Sequence, residues 1–281
     1  MDAIEVQSLR KVYGDVVAVD DVTFAVAQGE CLALLGPNGA GKTTTAEILA
    51  GYRRADAGVV RVLGVDPDQG GLQWRSRLGV VLQSTRDLGD LTVREAVEHV
   101  AGYFPDSRDP AEVIAWVGLT EKATSRNSKL SGGLRRRLDV ALGIIGRPEV
   151  LFLDEPTTGF DPEARRDFWT LIDQVKSEGT TILLTTHYLD EAERLADRVA
   201  VIARGRIIAC DTPAGIGNRS TAAAIVSWFE DGSERVEATS TPTALVSTLS
   251  ERLGGEVPQL QVRRPTLEDA YLTLLTLEGK P

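Results

Sequence analysis

The segment Gly36-Pro37-Asn38-Gly39-Ala40-Gly41-Lys42-Thr43-Thr44 fits G-x-x-x-x-G-K-[ST], a spacing in which each residue type has a chemical role. Its glycines let the backbone curl so that successive N–H groups converge, and a helix beginning near Lys42 adds the positive end of its dipole. Such a nest holds anionic phosphates. Lys42 then reaches the β- and γ-phosphates of a nucleotide as a point charge, and the Thr43 hydroxyl completes the shell of a Mg2+ ion. A second chemical pair, Asp154-Glu155, follows the apolar run Val150-Leu151-Phe152-Leu153. Carboxylates at a carboxyl edge of a sheet stand where open α/β folds bind ligands. One of the two can hold Mg2+ through water while its neighbour, facing the γ-phosphate, polarises an attacking water. Ser131-Gly132-Gly133 opens a predicted helix with a hydroxyl and bare backbone N–H groups. The same atoms that cap a helix also make an anion site.

These groups need a frame, and the hydrophobic pattern supplies one. Residues 31–35 form an apolar strand leading into the glycine-rich loop, and the helix after it runs to about Ala50 and stops at Gly51. Upstream, residues 4–9 and 16–26 read as β-pieces punctuated by Tyr13-Gly14-Asp15 and Gln28-Gly29-Glu30, an antiparallel sheet. Residues 59–63 and 78–83 read as further strands. Residues 84–147 turn helical: Thr92-Val93-Arg94-Glu95 is a capping box before a helix to Tyr103, and 110–117 is a second helical run. Strand patterns return at 150–153, 181–185 and 198–202, bridged by helix-like sequence such as 162–177. Continuous apolar strands alternating with helices imply a mainly parallel α/β sheet buried on both faces. A domain over residues 1–220 is therefore expected, followed by a small α+β appendage over 221–281. The appendage reads as strands at 221–229, 235–239 and 260–263, a helix at 242–253, and a last helix opened by Thr266-Leu267-Glu268-Asp269. Trp74, Trp116 and Trp169 read as packing residues, and Arg135-Arg136-Arg137 as a solvated helix face.

The 281 residues carry 31 Lys and Arg against 41 Asp and Glu, a formal charge of −10 that argues against a nucleic-acid-coating surface. Cys31 and Cys210 are too few for a disulfide scaffold, which fits a reducing cytoplasm. No apolar run reaches the length of a bilayer span, and Met1-Asp2-Ala3-Ile4-Glu5 lacks the basic start of a signal peptide. Work at a membrane would need a partner to bring the chain there.

With these motifs in this order, residues 1–220 resemble the ATP-binding subunits of ABC transporters. Gly36 to Thr44 resembles Walker A, Val150 to Glu155 Walker B, and Leu130-Ser131-Gly132-Gly133 the signature sequence of that family. Gln83 falls at the Q-loop glutamine, Gly159-Phe160-Asp161 at the D-loop, and His187 at the switch histidine. Tyr13 is placed like the aromatic that stacks on adenine, although a Tyr-Gly-Asp turn also holds a tyrosine for packing alone. The resemblance implies a P-loop ABC ATPase with ATP and Mg2+ as cofactors. It implies Thr43, Gln83 and Asp154 around the metal, Glu155 as base, and His187 and Gln83 as contacts of the γ-phosphate and attacking water. It also implies a head-to-tail dimer, a homodimer if the chain pairs with itself, in which Ser131, Gly132, Gly133 and Asp161 of one subunit meet the nucleotide held by the other. Leu134, where glutamine often follows the signature glycines, and Phe160, where the D-loop often has leucine, depart from the common pattern without removing a charged group.

The ending Arg264-Pro265-Thr266-Leu267-Glu268-Asp269-Ala270-Tyr271-Leu272 resembles the appendage of ATPases paired with ABC-2 type permeases. That implies ATP-driven export of a drug, an antibiotic (multidrug or antibiotic resistance) or a lipid-like molecule through a separate permease, at the cytoplasmic face of the cell membrane. An importer ATPase or a soluble, non-transport ABC ATPase are the competing readings.

Overall fold

The computed structural model describes residues 1–82, 89–219 and 222–278. The expected strand residue Gln83 lies outside them. The chain divides into two units, Met1–Cys210 and Asp211–Pro281, so the division comes before residue 220, where it was expected.

In the first unit β1 (Asp2–Tyr13) turns through Gly14 into β2 (Val16–Ala27). β3 (Cys31–Leu35) leads to α1 (Lys42–Leu49), which ends at Gly51 in the left-handed conformation. β4 (Ala57–Val62), the short α2 (Leu72–Arg75) and β5 (Leu78–Val81) follow. The helical region holds α3 (Val93–Ala101), α4 (Pro110–Trp116) and α5 (Gly132–Ile144). Then come β6 (Val150–Asp154), α6 (Pro162–Ser177), β7 (Thr181–Thr186), α7 (Leu189–Leu195), β8 (Arg198–Ala203) and β9 (Arg206–Asp211).

Among the described residues of this unit the strands form two sheets. β2-β1-β4 is antiparallel, as its alternating pattern required, with Ile4, Val6, Leu9, Val22 and Val26 buried. The larger sheet runs β5-β6-β7-β3-β8-β9, and its neighbours from β5 through β8 are parallel. Alternate residues of these central strands enter opposite cores. Leu151, Leu153, Ile182 and Leu184 pack with α3 to α6. Leu32, Leu34, Phe152 and Leu183 pack with the antiparallel sheet and α1. This burial on both faces is why the strands read as unbroken apolar runs.

Register places the chemistry. Leu35 pairs with Thr186 and Asp154 with Thr185, so the residues that follow β3, β6 and β7 emerge together at one carboxyl edge. The loop after β3 needs its glycines for space: a Cβ on Gly36 would lie 2.3 Å from the Ile202 carbonyl, and one on Gly41, at φ +104°, 2.5 Å from that of Ala18.

The capping box of α3 forms as read: Glu95 N–H donates to Thr92 Oγ1 at 3.3 Å and Thr92 N–H to the Glu95 carboxylate at 2.8 Å. Trp74 packs beneath β4 with Nε1 donating to the Val62 carbonyl at 2.9 Å. Cys31 is wholly buried, and burial pushes its thiol up to about 12, so it is an inert core group. β9, α2 and α7 add to the expected elements; α2 and α7 are short with few apolar residues, whereas β9 carries the apolar run Ile207 to Cys210 after the Arg204-Gly205 turn.

In the second unit β10 (Ala224–Glu230), β11 (Ser233–Thr239) and β12 (Gln261–Arg263) form an antiparallel sheet in the order β11-β10-β12, with α8 (Pro242–Leu253) and α9 (Leu267–Glu278). Val226, Trp228, Leu249 and Val257 make its small core. The box that opens α9 works with the shorter acid: Thr266 N–H donates to Asp269 Oδ2 at 2.8 Å and Asp269 N–H to Thr266 Oγ1 at 3.2 Å. Among the described residues no helix is long and apolar enough to cross a membrane.

Candidate functional site

At the carboxyl edge, Lys42 opens α1 only 4% exposed, with Nζ donating to the Gly36 and Pro37 carbonyls at 2.9 and 3.1 Å. The same Nζ lies 3.4 Å from Glu155 Oε1. The lysine is thus held both by its own loop and by the neighbouring acid. Pro37, Asn38 and Gly39 form the exposed tip of that loop, while Gly36, Ala40 and Gly41 are buried and Thr43 and Thr44 half-buried.

Asp154 ends β6 and is 1% exposed. Its Oδ1 accepts from Thr43 Oγ1 at 3.2 Å and from Thr185 Oγ1. Its Oδ2 is buried with no hydrogen-bond partner. An unpartnered carboxylate oxygen beside a threonine hydroxyl is the donor set a hard, oxygen-seeking dication takes. These residues fit Mg2+.

Glu155 follows in the left-handed region at φ +47°, a conformation a non-glycine residue adopts at a cost of order 1 kcal/mol or more. Its N–H is fixed by Thr185, 3.0 Å from the carbonyl and 3.2 Å from Oγ1. The carboxylate faces Lys42 on one side and His187 on the other, whose Nδ1 is 3.2 Å from Oε1 without hydrogen-bond alignment. His187 is half-buried and its ring leans on Tyr188 at 4.1 Å between centroids. Tyr188 is backed by the Arg165 guanidinium, 4.4 Å from its ring centroid. The structure thus brings Lys42, Thr43, Asp154, Glu155 and His187 into one connected cluster.

The signature residues sit elsewhere. Ser131 caps α5, its Oγ accepting from Leu134 N–H at 3.4 Å, and Gly132 has open space where a Cβ would stand. A cavity of about 790 Å3 is lined by Ser131, Gly132, Gly133, Asp161 and Glu155, and Lys42 is not among its walls. Asp161 is engaged in capping α6, with Oδ1 accepting from the Glu163 and Ala164 N–H groups at 3.1 and 2.8 Å. Tyr13 ends β1 apart from the cluster, 39% exposed, with Lys11 Nζ and the Arg53 guanidinium each 5.5 Å from its ring centroid. Gln83 lies outside the described residues.

The reading of Arg135-Arg136-Arg137 as a solvated face needs correction. Arg136 is buried. Its Nε donates to the Pro156 carbonyl at 3.2 Å, and its two Nη groups donate to the carbonyls of Leu82 and Asp154. Burial pulls its guanidinium below the usual arginine value, against the pull of Asp139 and Asp154. Arg135 donates to the Asn127 carbonyl at 3.3 Å, and Arg137 to that of Val117 at 3.2 Å. The carbonyls that follow strand ends at this edge have no ladder partner, and a planar fork on α5 satisfies three of them at once. Composition hid this, because a basic run looks alike whether its ends meet water or backbone.

Arg136→Met should therefore destabilise the chain by about 3 kcal/mol or more, at roughly 1–3 kcal/mol for each buried carbonyl left without a donor. Urea unfolding should show a lower midpoint with an unchanged slope. A midpoint within error of wild type would mean that water replaces the fork.

Thr185 and Thr186 also escaped the sequence reading. Thr185 fixes both Asp154 and Glu155, and the Thr186 carbonyl accepts from Gly36 N–H at 3.4 Å. The signal was present: two hydroxyls close the apolar strand directly before His187.

Residues 19–158 match the family model described as ABC transporter. The Nod factor export ATP-binding protein I of Paraburkholderia xenovorans is 43% identical over 219 residues, covering 76% of this chain and 72% of the relative. That of Ralstonia nicotianae is 38% identical over 299 residues, covering 96% of this chain and 93% of the relative. Among solved structures, an ATP-binding subunit of an ABC transporter agrees in fold with a TM-score of 0.73 at 23% identity, covering 97% of this chain and 99% of that one. A dimeric ATP-binding cassette in a post-hydrolysis state with ADP and Pi agrees at 0.68 and 19% identity, covering 74% and 98%. With one relative matched along nearly its whole length and the family model spanning both the glycine-rich loop and the acidic strand end, this chain belongs to the ABC transporter family as one of its ATP-binding, ATP-hydrolysing subunits.

Proposed function

We propose that this chain drives export of a substrate through a separate membrane permease of the ABC-2 type, by closing and reopening as a homodimer around two ATP molecules. The observation that supports it most is the split of the phosphate-binding groups: Lys42 with Thr43 and Asp154 on one side, Ser131 to Gly133 on a cavity that Lys42 does not line. Glu155 lines that cavity and also stands 3.4 Å from Lys42, so the two sets adjoin, and in the proposed dimer each serves a different nucleotide. A second copy facing head to tail brings the signature loop of one to the loop nucleotide of the other.

Within each site the loop amides and Lys42 take up the charge of the phosphates, and Thr43 and Asp154 hold Mg2+, with Gln83 reaching the same ion. When bound, the metal neutralises the developing phosphate charge. Glu155 takes the proton of the attacking water, and His187 donates to the γ-phosphate. Asp161 joins Ser131 at the dimer face, and Tyr13, already flanked by cations, offers its ring to adenine. Because the γ-phosphate touches both copies, closure is favoured only while it is present, and its loss releases the helical region. Between that region and the core lies a cavity of about 450 Å3 walled by Tyr52, Val100, Phe104 and Leu142, with Tyr52 and Tyr103 exposed, which suits a permease segment. The relatives named for Nod factor export favour the outward direction.

The test is purification of the tagged full chain from detergent-solubilised membranes of its source and reconstitution with the multi-span protein that accompanies it. With ATP outside the proteoliposomes, cargo should accumulate inside. ATP-driven loss from the lumen would indicate an importer, and recovery with ribosomes or DNA-binding proteins instead of a permease would indicate a non-transport ATPase.

A further inference from the structure

Glu191 stands in the first turn of α7, shortly after His187, and is 0% exposed. Neither of its carboxyl oxygens meets a hydrogen-bond partner, and the equally buried Thr157 hydroxyl lacks one too. An ionised carboxylate left unpaired in the interior is among the costliest groups a fold can hold. Burial raises the Glu191 pKa, and Asp190 adds to the rise, while the Thr186 and Thr157 hydroxyls and Arg165 oppose it. The cations that face it are already engaged. Arg165 on α6 pairs with Asp190 at 3.0 Å, and Arg136 on α5 serves three carbonyls. On β3 the Cys31 thiol is uncharged.

The two hydroxyls belong to the two segments that must stay aligned for hydrolysis. Thr186 immediately precedes His187, and Thr157 follows Glu155 on the loop whose carbonyl at Thr157 accepts from Phe160 N–H at 3.0 Å. We infer that Glu191 is a positioning residue for hydrolysis, tying the strand end that carries His187 to the loop that carries Glu155 through the Thr186 and Thr157 hydroxyls. The donor order supports this. Thr186 Oγ1 already accepts from Tyr188 N–H at 2.9 Å, so its own hydrogen is free to point at Glu191. A neutral carboxyl accepts there and can use its O–H for Thr157 Oγ1; a carboxylate would accept from both hydroxyls, but only by holding its charge in the interior. Small rotations complete a chain in which each bond polarises the next.

This rests on the roles proposed for Glu155 and His187, and the experiment keeps the two apart. In the full chain, Glu191→Ala should lower kcat for ATP hydrolysis by about tenfold or more, with KM within about twofold, as a misaligned base and phosphate contact would. Glu191→Gln, whose amide both accepts and donates, should recover most of that loss. It should also lose the alkaline decline of the wild type, because only the glutamate can ionise. Stability carries the same sign: a raised folded pKa contributes stability that is complete below the ordinary carboxylate range and is lost as pH rises through the raised value. The wild type should therefore fall behind Glu191→Gln in Tm as pH rises. A folded Glu191→Ala with wild-type kcat, a Glu191→Gln as slow as the alanine variant, or an alkaline limb that persists in Glu191→Gln would each overturn the inference. If Glu191→Ala does not fold, the Glu191→Gln profile decides alone. Normal hydrolysis by Glu155→Gln would instead overturn the role of Glu155, whatever the Glu191 variants do.

Discussion

Glu155→Gln should reduce steady-state ATP hydrolysis by about a thousandfold and leave the chain as a dimer with ATP trapped between its subunits. An amide cannot take the proton of the attacking water, and a positioned general base contributes roughly 10²- to 10⁴-fold, which sets the size of the rate loss. Trapping follows from the surroundings of the lysine. Lys42 Nζ sits 3.4 Å from the Glu155 carboxylate, which shares the charge that the γ-phosphate needs. Glutamine keeps the shape and removes the charge, so Lys42 turns to ATP with less competition and affinity should rise while turnover stops. Phosphate release measured beside the mass in solution with ATP and Mg2+ checks both halves. A Glu155→Gln chain that hydrolyses normally and stays monomeric would remove Glu155 as base and the dimer with it.

The fold was legible where one physical rule acted alone. Strands buried on both faces announce themselves as apolar runs, so β3, β6, β7 and β8 read correctly to within a residue or two at their ends. The capping boxes at Thr92 and Thr266 are local chemistry, and both formed as spaced. Lys42, Thr43 and Asp154 were legible because a loop, a helix start and a strand end fix them with little help from the remainder of the chain. What could not be read were groups whose meaning comes from long-range packing. Arg136 became a buried clamp only because α5 lies across the ends of β5 and β6. Glu191 looks like any acid in a helix's first turn, where charge is ordinarily solvated and stabilised by the dipole. Its burial depends on α7 pressing back against β7 and β3, which no spacing shows.

Lys42→Ala should abolish productive ATP binding and, less obviously, destabilise the chain even without nucleotide. For the nucleotide the loss is a set of charge-assisted hydrogen bonds, each worth about 1.5–3 kcal/mol, or roughly a tenfold to hundredfold fall in affinity per bond. For the chain by itself the loss is different in kind. Lys42 and Glu155 are both buried, and removing one member of such a pair typically costs about 3–5 kcal/mol because the remaining charge stays desolvated. The Gly36 and Pro37 carbonyls lose their donor as well. Adding Glu155→Gln to Lys42→Ala should then restore part of the stability, since the orphaned charge is gone. The pair should depart from additivity by about 1–3 kcal/mol in urea unfolding of the four proteins without nucleotide. Additive losses would mean that the lysine is held by the loop carbonyls alone, and that ATP displaces no acid when it binds. A coupled pair means the opposite: the acid proposed as base first holds the lysine in place, and arrival of the γ-phosphate would both recruit Lys42 and release Glu155 for the water.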